Sequence, residues 1–290
     1  MVNNQNILIM GGDARYLEVI KRLSKDGANV FLIGFDQLSF DDTNIKQSTL
    51  ETMDFSMLDA ITLPVAGTNT AGEIEATYSD QTIYLTKNII AESPADCTIY
   101  TGTSNPFLDN LAKSTNRKLV RLFARDDMAI LNSIPTAEGA LRLAMEEKDI
   151  TIHGSHVMVL GFGRVGITVA RLFSSVGANV RVAVRKSSDI SRIIEMGLEP
   201  VRLENLDQSI NDIDICMNTI PYPVIDSTII SSMKSSALII DLASKPGGTD
   251  FTFADNQGIQ SLHALGLPGK SAPKSAGRII AGVLAELLDN

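Results

Sequence analysis

The stretch HVMVLGFGRVGITVARLFSSVGANVRVAVRK, His156 to Lys186, decides the fold. Val157 to Leu160 reads as a short apolar strand, Gly161-x-Gly163-x-x-Gly166 as a glycine turn opening an amphipathic helix, and the run after Gly177 as a second apolar strand. Strand, helix and strand in this order form the βαβ unit of a parallel sheet. Each glycine has a steric reason. Gly161 permits the tight turn, Gly163 lets a pyrophosphate approach the backbone, and Gly166 lets the helix pack on the strand. The helix N-terminus adds free N–H groups and the positive end of its dipole, which suit phosphates. Phe162, Arg164 and Val165 complete the predicted cofactor turn, and a variable residue at Phe162 is tolerated there.

The same pattern occurs earlier. NILIMGGDARYLEVIKRLSKDGANVFLIGFD, Asn6 to Asp36, repeats it at an offset of 150 residues, with Gly11 matching Gly161 and Gly27 matching Gly177. Apolar runs at Ala60 to Val65, Ile83 to Leu85 and Thr98 to Thr101 then predict the rest of a Rossmann-like, flavodoxin-like half. Runs at Asp214 to Asn218, Ala237 to Leu242 and Gly258 to Leu262 predict the rest of the second half. Helices are expected over Ala137 to Lys148, after Pro135, and over Ser275 to Leu288.

The expected fold is therefore α/β: two Rossmann-like, doubly wound parallel-sheet domains. The expected boundaries are 1–128 for the substrate-side domain, 129–150 for a connecting helix, 151–269 for the nucleotide domain, and 270–290 for a loop and helix crossing back to the first domain. The first half has Asp13 and Tyr16 where the second has Gly163 and Gly166. A carboxylate repels a pyrophosphate and a tyrosine holds the helix off the strand, so this half is expected to lack a nucleotide site and to form the substrate wall of a cleft. Asp36 reads as a surface turn residue.

At 290 residues and 44% hydrophobic content the chain can fill two cores. Its net charge of −9 argues against nucleic-acid or anionic-membrane partners, which favour basic surfaces. Two distant cysteines, Cys97 and Cys216, exclude a disulfide scaffold and read as buried thiols; no metal site is expected. No signal sequence or membrane-spanning apolar run is apparent, which points to a cytoplasmic protein.

About twenty residues beyond the glycine turn, an NAD site normally presents Asp or Glu to the ribose hydroxyls. Here stand Arg185, Lys186, Ser187 and Ser188. A guanidinium beside an ammonium and hydroxyls suits a 2′-phosphate, so the cofactor is expected to be NADP. The loops after the fourth and fifth strands of the nucleotide domain contribute Asn218, Thr219, Ile220 and Pro221, and Ala243 and Ser244, because ligands of an open parallel sheet bind at strand carboxyl ends. His153 and His156 precede the first strand of that domain, at the opposite edge, and are rejected as bases.

GGDAR at Gly11 to Arg15, GFDQL at Gly34 to Leu38, RDDMAILNSIPTAEG at Arg125 to Gly139, TIHGS at Thr151 to Ser155, MNTIP at Met217 to Pro221, DLASKPGGTDF at Asp241 to Phe251 and GLPGKSAPKSAG at Gly266 to Gly277 together resemble the A subunit of dipicolinate synthase from spore-forming Firmicutes, end to end. The last segment also resembles the loop and helix after the nucleotide domain of alanine and methylenetetrahydrofolate dehydrogenases. The resemblance implies oxidation of dihydrodipicolinate to dipicolinate, with hydride passing to NADP⁺, in the mother-cell cytoplasm during sporulation. It also implies a heteromer with a small flavoprotein-like B subunit; a homo-oligomer stays open.

Two substrate carboxylates need cationic or N–H-rich partners. Arg15, the Thr103-Ser104-Asn105 turn, Ser271 and Lys274 are the substrate-binding candidates, with Asp13 and Lys270 as catalytic candidates. Asp13 could equally cap the first helix, and Arg125, Asp126 and Asp127 are expected to tie the interdomain connection by charge pairs. Two other readings share this sequence: an NADP-dependent dehydrogenase of another amino or 2-hydroxy acid, and a regulatory subunit that binds NADP(H) without turnover.

Arg185→Asp is expected to lower the ratio of NADP to NAD affinity roughly ten- to hundredfold, the worth of one charge-assisted hydrogen bond. Paired titrations with NADPH and NADH measure it, and an unchanged ratio refutes the assignment.

Overall fold

A computed structural model describes residues 2–289. The chain divides into two compact units, one running to Leu131 and resuming at Pro273, the other spanning Asn132–Ala272.

The first unit is built on β1 (Asn6–Met10), β2 (Asn29–Ile33), β3 (Ile45–Gln47), β4 (Ala60–Thr62), β7 (Thr98–Thr101) and β8 (Leu119–Arg121), with β5 (Glu73–Ile74) and β6 (Ile83–Tyr84) set apart as a small antiparallel pair. The six-stranded sheet is parallel with order β3-β2-β1-β4-β7-β8. The second unit repeats this order with β9 (His156–Leu160), β10 (Asn179–Val184), β11 (Glu199–Arg202), β12 (Ile215–Asn218), β13 (Leu238–Asp241) and β14 (Gln260–His263), arranged β11-β10-β9-β12-β13-β14. Both are doubly wound Rossmann sheets.

The internal repeat is visible in the details. Each half opens with a five-residue strand and a 12-residue helix, Ala14–Lys25 and Arg164–Ser175. Both helices end alike: Gly27 N–H donates to Ser24 O and Ala28 N–H to Leu23 O, as Gly177 N–H does to Ser174 O and Ala178 N–H to Phe173 O. Gly27 and Gly177 have φ of 91° and 90°, the left-handed conformation that closes a helix and favours glycine. The central strands are buried on both faces, which explains their unbroken apolar runs.

Several expectations need correction. The first sheet has the same strand order as the second rather than a flavodoxin-like one, because Ile45–Gln47 adds an edge strand beyond β2. This strand, like Glu199–Arg202, is short and polar, as sheet edges commonly are, and so carries no apolar signature; Pro200 is tolerated in it because an edge strand leaves one side unpaired. Ile83–Tyr84 belongs to the small hairpin and not to the main sheet. The connecting helix begins at Asp126 and runs through Pro135 to Glu147; the missing N–H and the ring's crowding of the carbonyl four residues back together cost about 3 kcal/mol, which does not end a helix that packing supports.

The loop expected at the start of 270–290 is instead helical: Lys270 lies on a short helix, Leu267–Ser271, and Lys274 on the helix Pro273–Asp289. Pro268 falls at the start of the first and Pro273 opens the second, where the missing N–H costs little.

The last helix completes the first unit's core. Ile280, Ala281, Leu284 and Leu288 pack with Tyr16, Val19, Ile20 and Leu23. A Cβ on Gly277 would lie 2.3 Å from the Arg15 carbonyl oxygen, so glycine sets this approach. Arg125 pairs with Asp127 at 2.7 Å and Glu286 at 3.5 Å, which fastens the start of the Asp126–Glu147 helix to the last helix within the first unit.

Tyr16 is fully buried, and its hydroxyl donates to the Leu63 carbonyl at 2.6 Å. Tyr16→Phe leaves that buried carbonyl without its donor and is expected to cost about 1–3 kcal/mol of stability, read as a lower urea midpoint with an unchanged slope.

Candidate functional site

In the second unit the Arg164–Ser175 helix starts at Gly163, which brings no capping side chain. The backbone donors of its first turn therefore face the space above the glycine turn. Gly161 has φ of 95°. A Cβ on Gly166 would lie 2.2 Å from the Gly161 carbonyl oxygen, whereas one on Gly163 would meet no protein atom within 4 Å. Gly166 thus sets the helix against the strand, and Gly163 leaves room for a ligand. Thr219 Oγ1 donates to the Leu160 carbonyl at 2.7 Å, fixing the next loop beside the turn.

A cavity of about 310 Å³ lies here, and among its walls are Gly161, Phe162, Gly163, Arg164 and Val165, then Arg185 and Lys186, then Thr219, Ile220 and Pro221. Three separated segments read from the sequence thus converge on one surface. Of the other cofactor candidates, Gly166 supports the wall from behind, Ser187 opens the helix Ser187–Glu195, and Asn218 is buried with Oδ1 accepting from Ile220 N–H at 3.0 Å. Ala243 and Ser244 lie on the loop after β13, outside these walls. Asp189 and Leu203 line the cavity unforeseen. Leu203 follows edge strand β11, which had no apolar pattern to reveal it. The residues fit a dinucleotide: uncapped helix N-terminus, an open glycine face and two cations at the end of β10.

The matching place in the first unit is closed by its own chain. Gly12 N–H donates to Glu75 O and Thr77 N–H to Gly12 O. A Cβ on Gly11 would lie 2.5 Å from Glu75 O, and one on Gly34 would lie 2.6 Å from Ile83 Cδ1. Tyr78 stacks on Phe35, with centroids 6.1 Å apart. The segment around the β5–β6 hairpin therefore covers the ends of β1 and β2, and Asp36 stays an exposed turn residue.

Asp13 caps the Ala14–Lys25 helix by accepting Arg15 N–H at 3.0 Å, and grips the Arg15 guanidinium at 2.6 to 3.1 Å. Burial pushes the Asp13 carboxyl up, but the Arg15 hydrogen bonds and charge outweigh it and hold it below the ordinary carboxylate range. A carboxylate so held accepts a proton poorly at neutral pH.

The Thr103-Ser104-Asn105 turn is likewise occupied internally. Thr103 Oγ1 donates to Val65 O at 3.1 Å, Ser104 binds Asp109, and Asn105 caps the helix Pro106–Ser114 while donating to Thr68 O. Lys270 and Lys274 are exposed, on the short helix and on the first turn of the last helix. Ser271 Oγ is buried against Gly139, where a Cβ would come within 2.8 Å of it. Asp13, Arg15, Thr103, Ser104, Asn105 and Lys274 belong to the first unit, Lys270 and Ser271 to the second. Within them, only Asp13 and Arg15 are joined by a hydrogen bond or ion pair between side chains.

Cys97 and Cys216 are both buried, and burial pushes their thiols up to about 11 and about 12, far from a reactive thiolate. His153 and His156 lie at the amino end of β9. His263 was missed: it ends β14, at the carboxyl edge of the sheet, level with Asp241. Its position after a weakly apolar strand end was the available signal.

Residues 6–123 match the family model for the N-terminal domain of the dipicolinate synthase A subunit, and residues 133–245 match that for the NAD-binding domain of D-isomer-specific 2-hydroxyacid dehydrogenases. The chain is 48% identical to the dipicolinate synthase A subunit of Bacillus subtilis (strain 168) over 288 residues, covering 99% of this chain and 97% of that one. The chain belongs to the family of dipicolinate synthase A subunits. The crystal structure of the Bacillus halodurans dipicolinate synthase A subunit superposes with a TM-score of 0.98 at 47% identity, covering 100% of this chain and 99% of that one. A transhydrogenase from Sinorhizobium meliloti shares the fold, with a TM-score of 0.70 at 16% identity over 98% of this chain and 93% of that one. This family member is an oxidoreductase with a nicotinamide-dinucleotide-binding Rossmann domain. No helix among its described residues is long and apolar enough to cross a membrane.

Gly166→Ala forces a Cβ onto the Gly161 carbonyl. Overpacking typically costs about 1–3 kcal/mol of stability, so a lower Tm is expected, and a helix start pushed off the turn is expected to weaken reduced-nicotinamide binding; thermal melts and fluorescence titration measure the two.

Proposed function

We propose that this protein oxidises dihydrodipicolinate to dipicolinate with NADP⁺ during spore formation. In this reading bound NADP⁺ supplies the hydride acceptor, and the reaction balances as dihydrodipicolinate plus NADP⁺ giving dipicolinate, NADPH and a proton. The aromatic product favours the forward direction, so the chief role of the protein is to orient the two reactants.

The carrying observation is the wall of the nucleotide cavity, where Arg185 and Lys186 stand at the end of β10 in place of a ribose-binding carboxylate. The amides at the start of the Arg164–Ser175 helix would take the pyrophosphate. Arg185, Lys186 and Ser187 would take the 2′-phosphate, for which each charge-assisted hydrogen bond is worth about 1.5–3 kcal/mol. Asn218, Thr219, Ile220 and Pro221, with Ala243 and Ser244, would border the nicotinamide end.

A small flavoprotein-like B subunit is the proposed partner, and the mother-cell cytoplasm the proposed location, following the family resemblance. In the same reading Arg15, Thr103, Ser104, Asn105, Ser271 and Lys274 would hold the substrate, with Asp13 and Lys270 serving the chemistry. Asp13 would have to release Arg15 before taking a proton.

A second reading, oxidation of a 2-hydroxy acid with NAD⁺, draws on Asp189, a carboxylate in the same cavity. Incubating the protein with dihydrodipicolinate and either NADP⁺ or NAD⁺, with and without the B subunit, separates the two. NADPH and dipicolinate are expected in equal amounts, with NADP⁺ preferred at least about tenfold. Binding of NADPH with no dipicolinate formed, even with the B subunit, refutes the enzymatic reading.

A further inference from the structure

The loop from Asp241 to Phe251 is anchored at both ends by hydrogen bonds. Asp241 ends β13 and is wholly buried. Its Oδ1 accepts Ala243 N–H at 2.9 Å, and its Oδ2 accepts Gly248 N–H and Thr249 Oγ1–H, both at 2.8 Å. No cation pairs with it among the described residues. Burying a carboxylate is costly unless hydrogen bonds replace its water, and all three of these bonds close the two ends of one loop.

His263 adds a fourth tie. Its Nε2 lies 3.0 Å from the Ala243 carbonyl, and Phe251 stacks on its ring at 5.3 Å.

The same loop is fastened to the nucleotide site. The Gly248 carbonyl accepts Val224 N–H at 3.0 Å and Ile225 N–H at 2.9 Å. A Cβ on Gly248 would lie 2.5 Å from both Asn218 Nδ2 and the Ile220 carbonyl oxygen. Thr219, Ile220 and Pro221 of that neighbouring segment line the nucleotide cavity. The anchored loop thus holds an exposed tip, Ser244-Lys245-Pro246, at the carboxyl end of the sheet and next to the cofactor loop.

Lys245 has no hydrogen-bond or ion-pair partner among the described residues, in a chain with 34 acidic side chains against 25 basic ones.

We infer that Lys245 binds a carboxylate of the substrate, with Asp241 and His263 as the positioning residues that hold its loop. The inference rests on the proposed dicarboxylate substrate. Anchoring matters because a lysine on a fixed backbone loses less freedom on binding than one on a mobile loop.

Calorimetric titration of dipicolinate into wild type, Lys245→Met and Lys245→Arg tests it, with NADPH affinity measured in parallel by fluorescence. Lys245→Met is expected to weaken dipicolinate binding at least about tenfold, Lys245→Arg to retain most of it, and NADPH affinity to stay within about twofold in both. Wild type that binds no dipicolinate, with or without NADPH, overturns the substrate reading itself. Wild type that binds it, beside a Lys245→Met variant that binds equally well, overturns the Lys245 assignment alone. A matching loss of NADPH binding in both variants also overturns it, because Lys245 would then shape the loop rather than meet the substrate.

Discussion

A single close approach, that of Gly166 to the carbonyl oxygen of Gly161, governs the second unit. With no side chain at Gly166 the helix starts directly against the turn, where a Cβ would come within 2.2 Å of that oxygen. Gly163 then leaves the helix uncapped, so the first-turn donors and the positive end of the dipole remain for an anion. The rest of the site follows from sheet order. Central strand β9 is flanked by β10 and β12, so the ends of those two strands bring Arg185 and Lys186 to one side and Thr219 to Pro221 to the other.

The first unit uses the same scaffold for a different end. Asp13 satisfies the helix start with its own carboxylate and closes on Arg15. Gly12 pairs with the backbone of Glu75 and Thr77, and Tyr16 sends its hydroxyl to Leu63. Donors that serve a ligand in the second unit serve the chain itself here. The same parallel order thus yields one open nucleotide groove and one that is internally filled, and the difference traces to a few residues at the turn and to the β5–β6 hairpin.

The expected lack of a nucleotide site in the first unit rested on charge repulsion at Asp13 and on bulk at Tyr16. Tyr16 is accommodated instead, with its ring against Gly12, whose Cβ would lie 2.6 Å from Tyr16 Cδ2. What closes the site is the hairpin, whose covering position depends on contacts between residues about sixty apart in sequence. The Asp241 loop is a similar case. The motif DLASKPGGTDF was visible, but nothing in its order shows that Asp241 turns inward to hold Gly248 and Thr249, or that His263 meets it from the next strand.

The repeated βαβ plan, the glycine turn and the basic end of β10 are legible in the residues alone, because these depend on local rules: strand and helix periodicity, the steric size of a glycine, and the sign of a charge at a fixed distance from the turn. Edge strands such as Ile45–Gln47 and Glu199–Arg202 escaped, since one sheet neighbour and a wet face leave no apolar pattern. Which polar groups are already taken is settled by the fold. Arg15, Asn105 and Asp13 are engaged within the protein, while Lys245 has no partner among the described residues. Hydrogen bonds and ion pairs are settled by which atoms folding brings within about 3 Å, and sequence spacing does not fix those meetings.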